Sequence, residues 1–178
     1  MLARYAAICQ FGGLVPIVEP EVLVTEGSHS FQRSYDVTAR VLHETFAHLW
    51  RNNVNLERMI LKPNMILSGD KSGKKESHHE VATATVDVLK KTVPSKVPGI
   101  LFLSGGQSGD EAAWNLNEMN KIPHLPWYLS YSYGRALQHS CIDTWKGDSN
   151  NVKQAQQVYL NKALNCSLAS KGKLEKCL

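Results

Sequence analysis

Four short apolar segments recur along this sequence, and each ends abruptly in polar residues or glycine. They are LVPIVEPE at residues 14–21, RMILKPNM at 58–65, GILFLSGG at 99–106 and WYLSYSYG at 127–134. Apolar runs without alternation are typical of strands buried on both faces, as in parallel sheets. The pattern predicts four strands, near residues 14–19, 58–62, 99–103 and 127–132.

Helical patterns lie between these apolar segments. Two sequences of the capping-box form Ser-x-x-Glu, at Ser77 and at Ser108, indicate helix starts. Apolar residues at helical spacing predict the remaining helices, which are expected from Leu2, over 31–51, over 78–93, from Arg135 and over 152–163.

Strands that alternate with helices predict an α/β fold with a parallel sheet. A closed eight-stranded barrel of this kind needs about 250 residues, whereas the 178 residues present supply four strands. We therefore expect residues 1–178 to form a single partial domain, about half of a (β/α)8 TIM barrel. Because no strand precedes the first helix, we also expect the chain to begin inside a βα unit.

Composition excludes several classes of protein. The chain is 43% hydrophobic and 20% charged, which is ordinary globular composition, and its net charge of +4 comes from dispersed basic residues that favour small anionic ligands over nucleic acid. No apolar run approaches the roughly 20 residues of a membrane span, and the N-terminus does not resemble a secretory signal. The four cysteines are Cys9, Cys141, Cys166 and Cys177, and none are spaced as CxxC. They predict free thiols and therefore a reducing compartment, the cytoplasm.

Lys62 stands at the end of an apolar segment, between Leu61 and Pro63. Loss of hydration there disfavours the charged ammonium, and a neutral amine can attack a carbonyl carbon to form a Schiff base. Two other interpretations stay open at this point. In the first, Lys62 is a structural lysine that extends to solvent or pairs with a carboxylate. In the second, the whole chain is an α/β domain of unrelated function in which Lys62 has only a structural role.

Two carboxylates, Glu19 and Glu21, flank Pro20 at the end of the preceding predicted strand. Carboxylates close to an amine can divide the proton transfers of Schiff-base chemistry, one protonating the departing hydroxyl of a carbinolamine while the other orients or deprotonates the amine. The alternative is a pair of solvated acids at the end of a loop.

Glycine-rich backbone follows the last two predicted strands. Gly105 lets main-chain N–H groups approach a phosphate, Ser104 adds a hydroxyl, and Gly134 with Arg135 starts a helix whose N-terminus favours anions. Phosphate sites of eight-stranded barrels are often built after the last two strands. A single SGG sequence more often only makes a turn, but two such sequences with an arginine favour a phosphate site. The histidines show no i,i+4 spacing, so the sequence predicts no metal site.

These segments together resemble the C-terminal half of a class I fructose-bisphosphate aldolase. The resemblance covers essentially all 178 residues and is carried by GLVPIVEPEVL, LKPNM, VPGILFLSGGQS, LSYSYGRALQ and NVKQAQQVYLNKALNCSLASKGK, in the family's order. It implies an (α/β)8 barrel that cleaves fructose 1,6-bisphosphate to dihydroxyacetone phosphate and glyceraldehyde 3-phosphate through a lysine Schiff base, without metal or cofactor.

The resemblance also implies roles for individual residues. Lys62 corresponds to the Schiff-base lysine, Glu19 to the acid and base glutamate, and Glu21 to the second glutamate beside the lysine. The positions that hold one substrate phosphate correspond to Ser104, Gly105, Gly134 and Arg135.

The family's N-terminal half carries an aspartate, two lysines and an arginine of its site, and the sequence given does not contain that half. A half-barrel leaves two sheet edges unpaired, so we expect a homo-oligomer or a complementary aldolase half as partner. The alternative function is a catalytically impaired half-barrel that binds a sugar phosphate or a full-length aldolase subunit.

Overall fold

A computed structural model describes residues 1–25 and 27–175 of the chain. Strands and helices alternate along it as the apolar segments predicted, with four strands and six α-helices in the described part. In order they are α1 (Leu2–Phe11), β1 (Ile17–Val18), α2 (Phe31–Arg51), β2 (Ile60–Leu61), α3 (His78–Thr92), β3 (Gly99–Phe102), α4 (Gly109–Asn120), β4 (Tyr128–Tyr131), α5 (Arg135–Trp145) and α6 (Val152–Ala169).

The four strands form one parallel sheet in the order β1-β2-β3-β4. Every strand lies inside its predicted range, but β1 and β2 contain only two residues each. Two prolines, Pro16 and Pro20, flank β1. Proline has no N–H to donate to the ladder, which limits the length of a strand and suits one at the edge of a sheet.

The two faces of the sheet have different surroundings. Val18, Leu61 and Ile100 lie on the face that the helices cover, and each is 0% exposed. On the opposite face Ile17 is 42% exposed and Tyr128 is 86% exposed. The expectation of strands buried on both faces is therefore wrong for this chain by itself, because nothing among residues 1–25 and 27–175 covers the second face.

Serine side chains begin three of the helices. The hydroxyl oxygens of Ser30, Ser77 and Ser108 each accept a hydrogen bond from the backbone N–H three residues later. Ser77 forms the full predicted capping box, since the carboxylate of Glu80 accepts from the Ser77 N–H at 2.8 Å. The second predicted box is only half formed, because the Glu111 carboxylate pairs with Lys75 at 3.0 Å.

The core contains buried residues from the sheet and from most helices, but α5 contributes none. Ile142 and Trp145 of α5 are 55% and 45% exposed, at the β4 side of the sheet. Phe11 at the end of α1 is 97% exposed at the opposite side. Apolar side chains therefore reach solvent near both edges of the sheet. Among the helices that the structure describes, none is long and apolar enough to cross a membrane.

Three of the four cysteines lie in the described residues and are free thiols, while Cys177 lies outside them. Cys166 of α6 is 2% exposed, and burial raises the pKa of its thiol to about 11. In the unfolded chain the thiol ionises with a pKa near 9.0. Between these values the folded chain retains a proton that the unfolded chain loses, so stability decreases as pH rises.

We expect the free energy of unfolding to fall between about pH 9 and 11, and to fall less steeply in Cys166→Ala, where this ionisation is absent. Urea unfolding at several pH values measures the slope. Cys141→Ala on α5 is the control for loss of a half-buried thiol. Equal slopes for the wild type and Cys166→Ala would contradict the prediction.

Candidate active site

Lys62 and Glu19 form an ion pair at the carboxyl ends of β2 and β1. The register pairs Val18 with Leu61, so the next residues of the two strands are also neighbours. The Lys62 N–H donates to the Val18 carbonyl oxygen at 2.8 Å, which fixes this alignment. The Lys62 Nζ lies 3.0 Å from the Glu19 Oε1, and the two side chains are 20% and 41% exposed.

This pair lies on the uncovered face of the sheet, because side chains alternate between faces along a strand and Leu61 points into the core. The Lys62 ammonium therefore has a carboxylate, a possible proton acceptor, 3.0 Å from its Nζ. Glu21 is exposed and forms no ion pair within the described part of the chain. The structure thus brings Lys62 and Glu19 together and does not bring Glu21 into the same pair.

The side chain of Asn64 holds the segment that carries Glu19 and Glu21. Its Oδ1 accepts from the Val22 N–H at 3.1 Å, and its Nδ2 donates to the Thr38 Oγ1 at 3.2 Å and to the Met65 carbonyl at 3.1 Å. Asn64 is 2% exposed. Asn64 is not among the predicted site residues, although a polar side chain two positions after Lys62 in an apolar segment was the available signal.

We expect Asn64→Leu to reduce the free energy of unfolding by about 1–3 kcal/mol, because the Val22 N–H loses its acceptor in a partly buried place. Urea unfolding of both proteins measures the difference. The matched control is Asn161→Leu on the exposed surface of α6, expected to change stability by less than about 0.5 kcal/mol. Equal effects of the two substitutions would contradict a positioning role for Asn64.

A tight turn at residues 104–107 follows β3. The Gln107 N–H donates to the Ser104 carbonyl at 3.1 Å, and the two residues between them, Gly105 and Gly106, have φ of +58° and +86°. Positive φ at both central positions defines a type I′ turn, which side chains other than glycine rarely tolerate. Within residues 1–25 and 27–175, neither glycine N–H donates a hydrogen bond, and Gly106 is exposed.

The second predicted anion site begins α5. Gly134 is the N-cap of this helix and Arg135 is its first residue, exposed and without an ion pair in the described chain. The Ser132 N–H donates to the Phe102 carbonyl at 2.9 Å, which aligns the ends of β4 and β3. A Cβ on Gly109, at the start of α4, would overlap the Ala136 carbonyl oxygen. Only glycine at position 109 therefore allows the first turn of α5 to lie this close to the start of α4.

Tyr133 anchors the end of β4 beneath this helix. Its hydroxyl donates to the Ala112 carbonyl at 3.0 Å, and burial raises the pKa of the phenol well above 10.0. The phenol therefore stays protonated and keeps donating at neutral and moderately alkaline pH. Among the described residues no group of three or more metal-ligating side chains occurs.

A parallel α/β sheet with an amine and a carboxylate at its carboxyl edge is typical of α/β proteins, open or closed into a barrel, whose sites lie at that edge. Residues 1–177 match the family model described as fructose-bisphosphate aldolase class-I. The chain therefore belongs to the class I fructose-bisphosphate aldolase family, and the resemblance noted in its sequence is confirmed.

Individual relatives agree with this assignment. Fructose-bisphosphate aldolase A of Salmo salar is 51% identical over 174 residues, covering 97% of this chain and 48% of the relative. Fructose-bisphosphate aldolase 1 of Toxoplasma gondii is 53% identical over 172 residues, covering 97% and 47%. The chain spans about half the length of the curated relatives it matches and corresponds to their C-terminal portion.

A solved structure confirms the fold class. The Plasmodium falciparum fructose-bisphosphate aldolase, crystallised with TRAP and a small-molecule inhibitor, superposes with a TM-score of 0.95 at 48% identity. The superposition covers 99% of this chain and 50% of that chain. The four parallel strands and their helices are thus an open half of the aldolase barrel.

Proposed function

We propose that this chain carries out the Schiff-base chemistry of a fructose-bisphosphate aldolase of glycolysis and gluconeogenesis. Its substrate would be fructose 1,6-bisphosphate, and its products dihydroxyacetone phosphate and glyceraldehyde 3-phosphate. The observation that carries the proposal is the 3.0 Å contact between Lys62 Nζ and Glu19 at the carboxyl edge of the sheet. It supplies both a nucleophile and a group that can remove and return its proton.

The proposed sequence of steps begins with transfer of a proton from the Lys62 ammonium to Glu19. The neutral amine then attacks the ketone carbon, and Glu19 protonates the hydroxyl of the carbinolamine, which leaves as water. The resulting iminium accepts the electron pair of the bond between the carbon next to it and the hydroxyl-bearing carbon beyond. As that bond breaks, Glu19, ionised again, would take the hydroxyl proton, which leaves an aldehyde and an enamine on Lys62. Glu21 is proposed as the second carboxylate, which would orient or deprotonate the amine.

One substrate phosphate would bind at the 104–107 turn and at the start of α5. The N–H groups of Gly105 and Gly106 and the hydroxyl of Ser104 offer neutral donors, while Arg135 and the Gly134 cap of α5 offer positive charge. A phosphate held there lies beyond strands β3 and β4, next to the strand that carries Lys62. This arrangement would hold the substrate with its ketone near the amine.

Reductive trapping tests the covalent step. Borohydride with dihydroxyacetone phosphate should attach the reduced triose to Lys62, because only a Schiff base is reduced to a stable amine under these conditions. Intact mass and peptide mapping locate the adduct. We expect no adduct in Lys62→Met, slower trapping in Glu19→Gln, and wild-type trapping in the control Lys153→Met on exposed α6. Absence of an adduct on the wild-type chain would exclude the proposed chemistry.

A second candidate function rests on the uncovered face of the sheet. Lys62 lies on this face together with exposed apolar side chains, so water reaches the amine, whereas exclusion of water would strengthen the electrostatic interactions of such a site. We propose as the alternative a catalytically impaired half-barrel that binds a sugar phosphate or a full-length aldolase subunit. It predicts phosphate binding that depends on Arg135 without turnover.

Under either function we propose that residues 1–178 form one partial barrel domain in the cytoplasm. The uncovered face would be closed by a second copy or by a complementary aldolase half. The exposed residues at both edges support such a partner, since unpaired strands and apolar surface favour association. Phe11 lies near the β1 edge, and Tyr128 lies on β4 itself.

We expect the purified chain either to self-associate or to remain a monomer that binds a hydrophobic dye until a complementary half is added. Sedimentation and dye fluorescence distinguish these outcomes. Phe11→Glu and Tyr128→Lys should weaken association, whereas Trp50→Lys, at an 80% exposed position at the end of α2, is the control. A monomer that melts cooperatively and binds no dye would contradict the proposed partner.

A further inference from the structure

A row of three side chains connects the 104–107 turn to the protein surface. The Gln107 Nε2 donates to the Ser104 carbonyl at 2.7 Å, and the Gln107 Oε1 accepts from the Asn115 Nδ2 at 2.6 Å. The Asn115 Oδ1 lies 2.6 Å from the His78 Nδ1. The row joins β3, α4 and α3, and the aldolase chemistry proposed above uses none of its three side chains.

Elementary chemistry fixes the direction of every hydrogen bond in this row. A carbonyl oxygen can only accept, so the Gln107 amide must direct its NH2 group toward Ser104 and its oxygen toward Asn115. Asn115 must then donate with its NH2 group and present its oxygen to His78. The His78 Nδ1 therefore carries a proton and donates to Asn115.

Burial makes this direction costly to change. Asn115 is 1% exposed and Gln107 is 8% exposed, so a broken link leaves a polar group without water. At the outer end, His78 is the first residue of α3, directly after the Ser77 cap, and its ring stacks on Trp114 at 6.4 Å between centroids. At one end of the row, His78 is fixed by the start of α3 and by Trp114. At the other end, Gln107 is hydrogen-bonded to Ser104 in the turn.

The Ser104 carbonyl accepts two hydrogen bonds, one from the Gln107 N–H and one from the Gln107 side chain. The backbone bond alone would close the turn, and the side-chain bond connects the same oxygen to α4 and α3. The N–H groups of Gly105 and Gly106 have no hydrogen-bond partner in the described chain.

We propose that Gln107, Asn115 and His78 are positioning residues that hold the 104–107 turn in its phosphate-binding form. The inference rests on the proposed phosphate site, although none of the three side chains is required to touch the anion. Removal of one donor should loosen the turn and weaken phosphate binding, while the Lys62 and Glu19 pair at the ends of strands β2 and β1 keeps its geometry.

The test compares Gln107→Met and His78→Phe with the wild-type chain, since both substitutions keep approximate volume and introduce no charge. Titration with inorganic phosphate, followed by the amide resonances of residues 104–107, gives the affinity. Hydrogen exchange at the Gln107 N–H reports the turn directly. Borohydride trapping at Lys62 with dihydroxyacetone, which has no phosphate, reports the amine alone.

We expect Gln107→Met to weaken phosphate binding about five- to tenfold and to accelerate exchange at residue 107, because it removes one neutral hydrogen bond and strands the Asn115 donor. His78→Phe should act in the same direction and less strongly. His78→Asn, whose NH2 group can replace the Nδ1 donor, should restore affinity. Trapping with dihydroxyacetone should stay within about twofold of wild type, and the control His79→Phe should change nothing.

Arg135→Met separates this inference from the function on which it rests. If Arg135→Met abolishes phosphate binding while Gln107→Met and His78→Phe leave affinity and exchange unchanged, the positioning role is overturned and the phosphate site stands. Faster exchange without weaker phosphate binding also overturns it. If the wild-type chain binds no phosphate, the proposed site fails, and a change in exchange alone would assign the row a purely structural role.

Discussion

The alignment of β1 with β2 is the constraint on which the candidate site depends. The bond from the Lys62 N–H to the Val18 carbonyl puts Lys62 beside the residue that follows Val18, which is Glu19. A shift of one residue would turn either side chain to the opposite face of the sheet. Burial of Val18 and Leu61 under the helices opposes that shift, so packing on one face maintains the ion pair on the other.

The same sheet shows a conflict between its sequence and its surroundings. Its strands are apolar on both faces, as in a closed barrel, but helices cover only one face in the described chain. Ile17 and Tyr128 are exposed on the other face, which also carries the Lys62 and Glu19 pair. A single partner surface on this face would cover both the Lys62 amine and the exposed apolar side chains of the strands.

Buried amides position the loops around this edge. Asn64 connects the segment after Glu19 to α2, and Gln107 connects the turn after β3 to α4 through Asn115. Each of these side chains forms hydrogen bonds to two different segments, which restricts the relative movement of those segments. Serine and threonine on α2 have the same role, since Thr38 accepts from Asn64 and Ser34 accepts from the Leu67 N–H.

Much of the architecture could be predicted from the chain alone, because it depends on local signals. Apolar runs gave the four strands, serine caps gave the starts of α3 and α4, and the positions of Lys62 and Glu19 after their strands followed from the alternation of elements. Family membership followed from the motifs at those same positions.

Three features depended on contacts between distant residues. They are the pairing of Lys62 with Glu19 and not Glu21, the half-formed capping box at Ser108, and the row of side chains from Gln107 to His78. Such contacts join residues about 40 positions apart, such as His78 and Asn115, and a sequence pattern describes only which residues are neighbours along the chain. The folded sheet and its helices decided which polar groups meet, because burial leaves each of them only the partners that tertiary packing brings within reach.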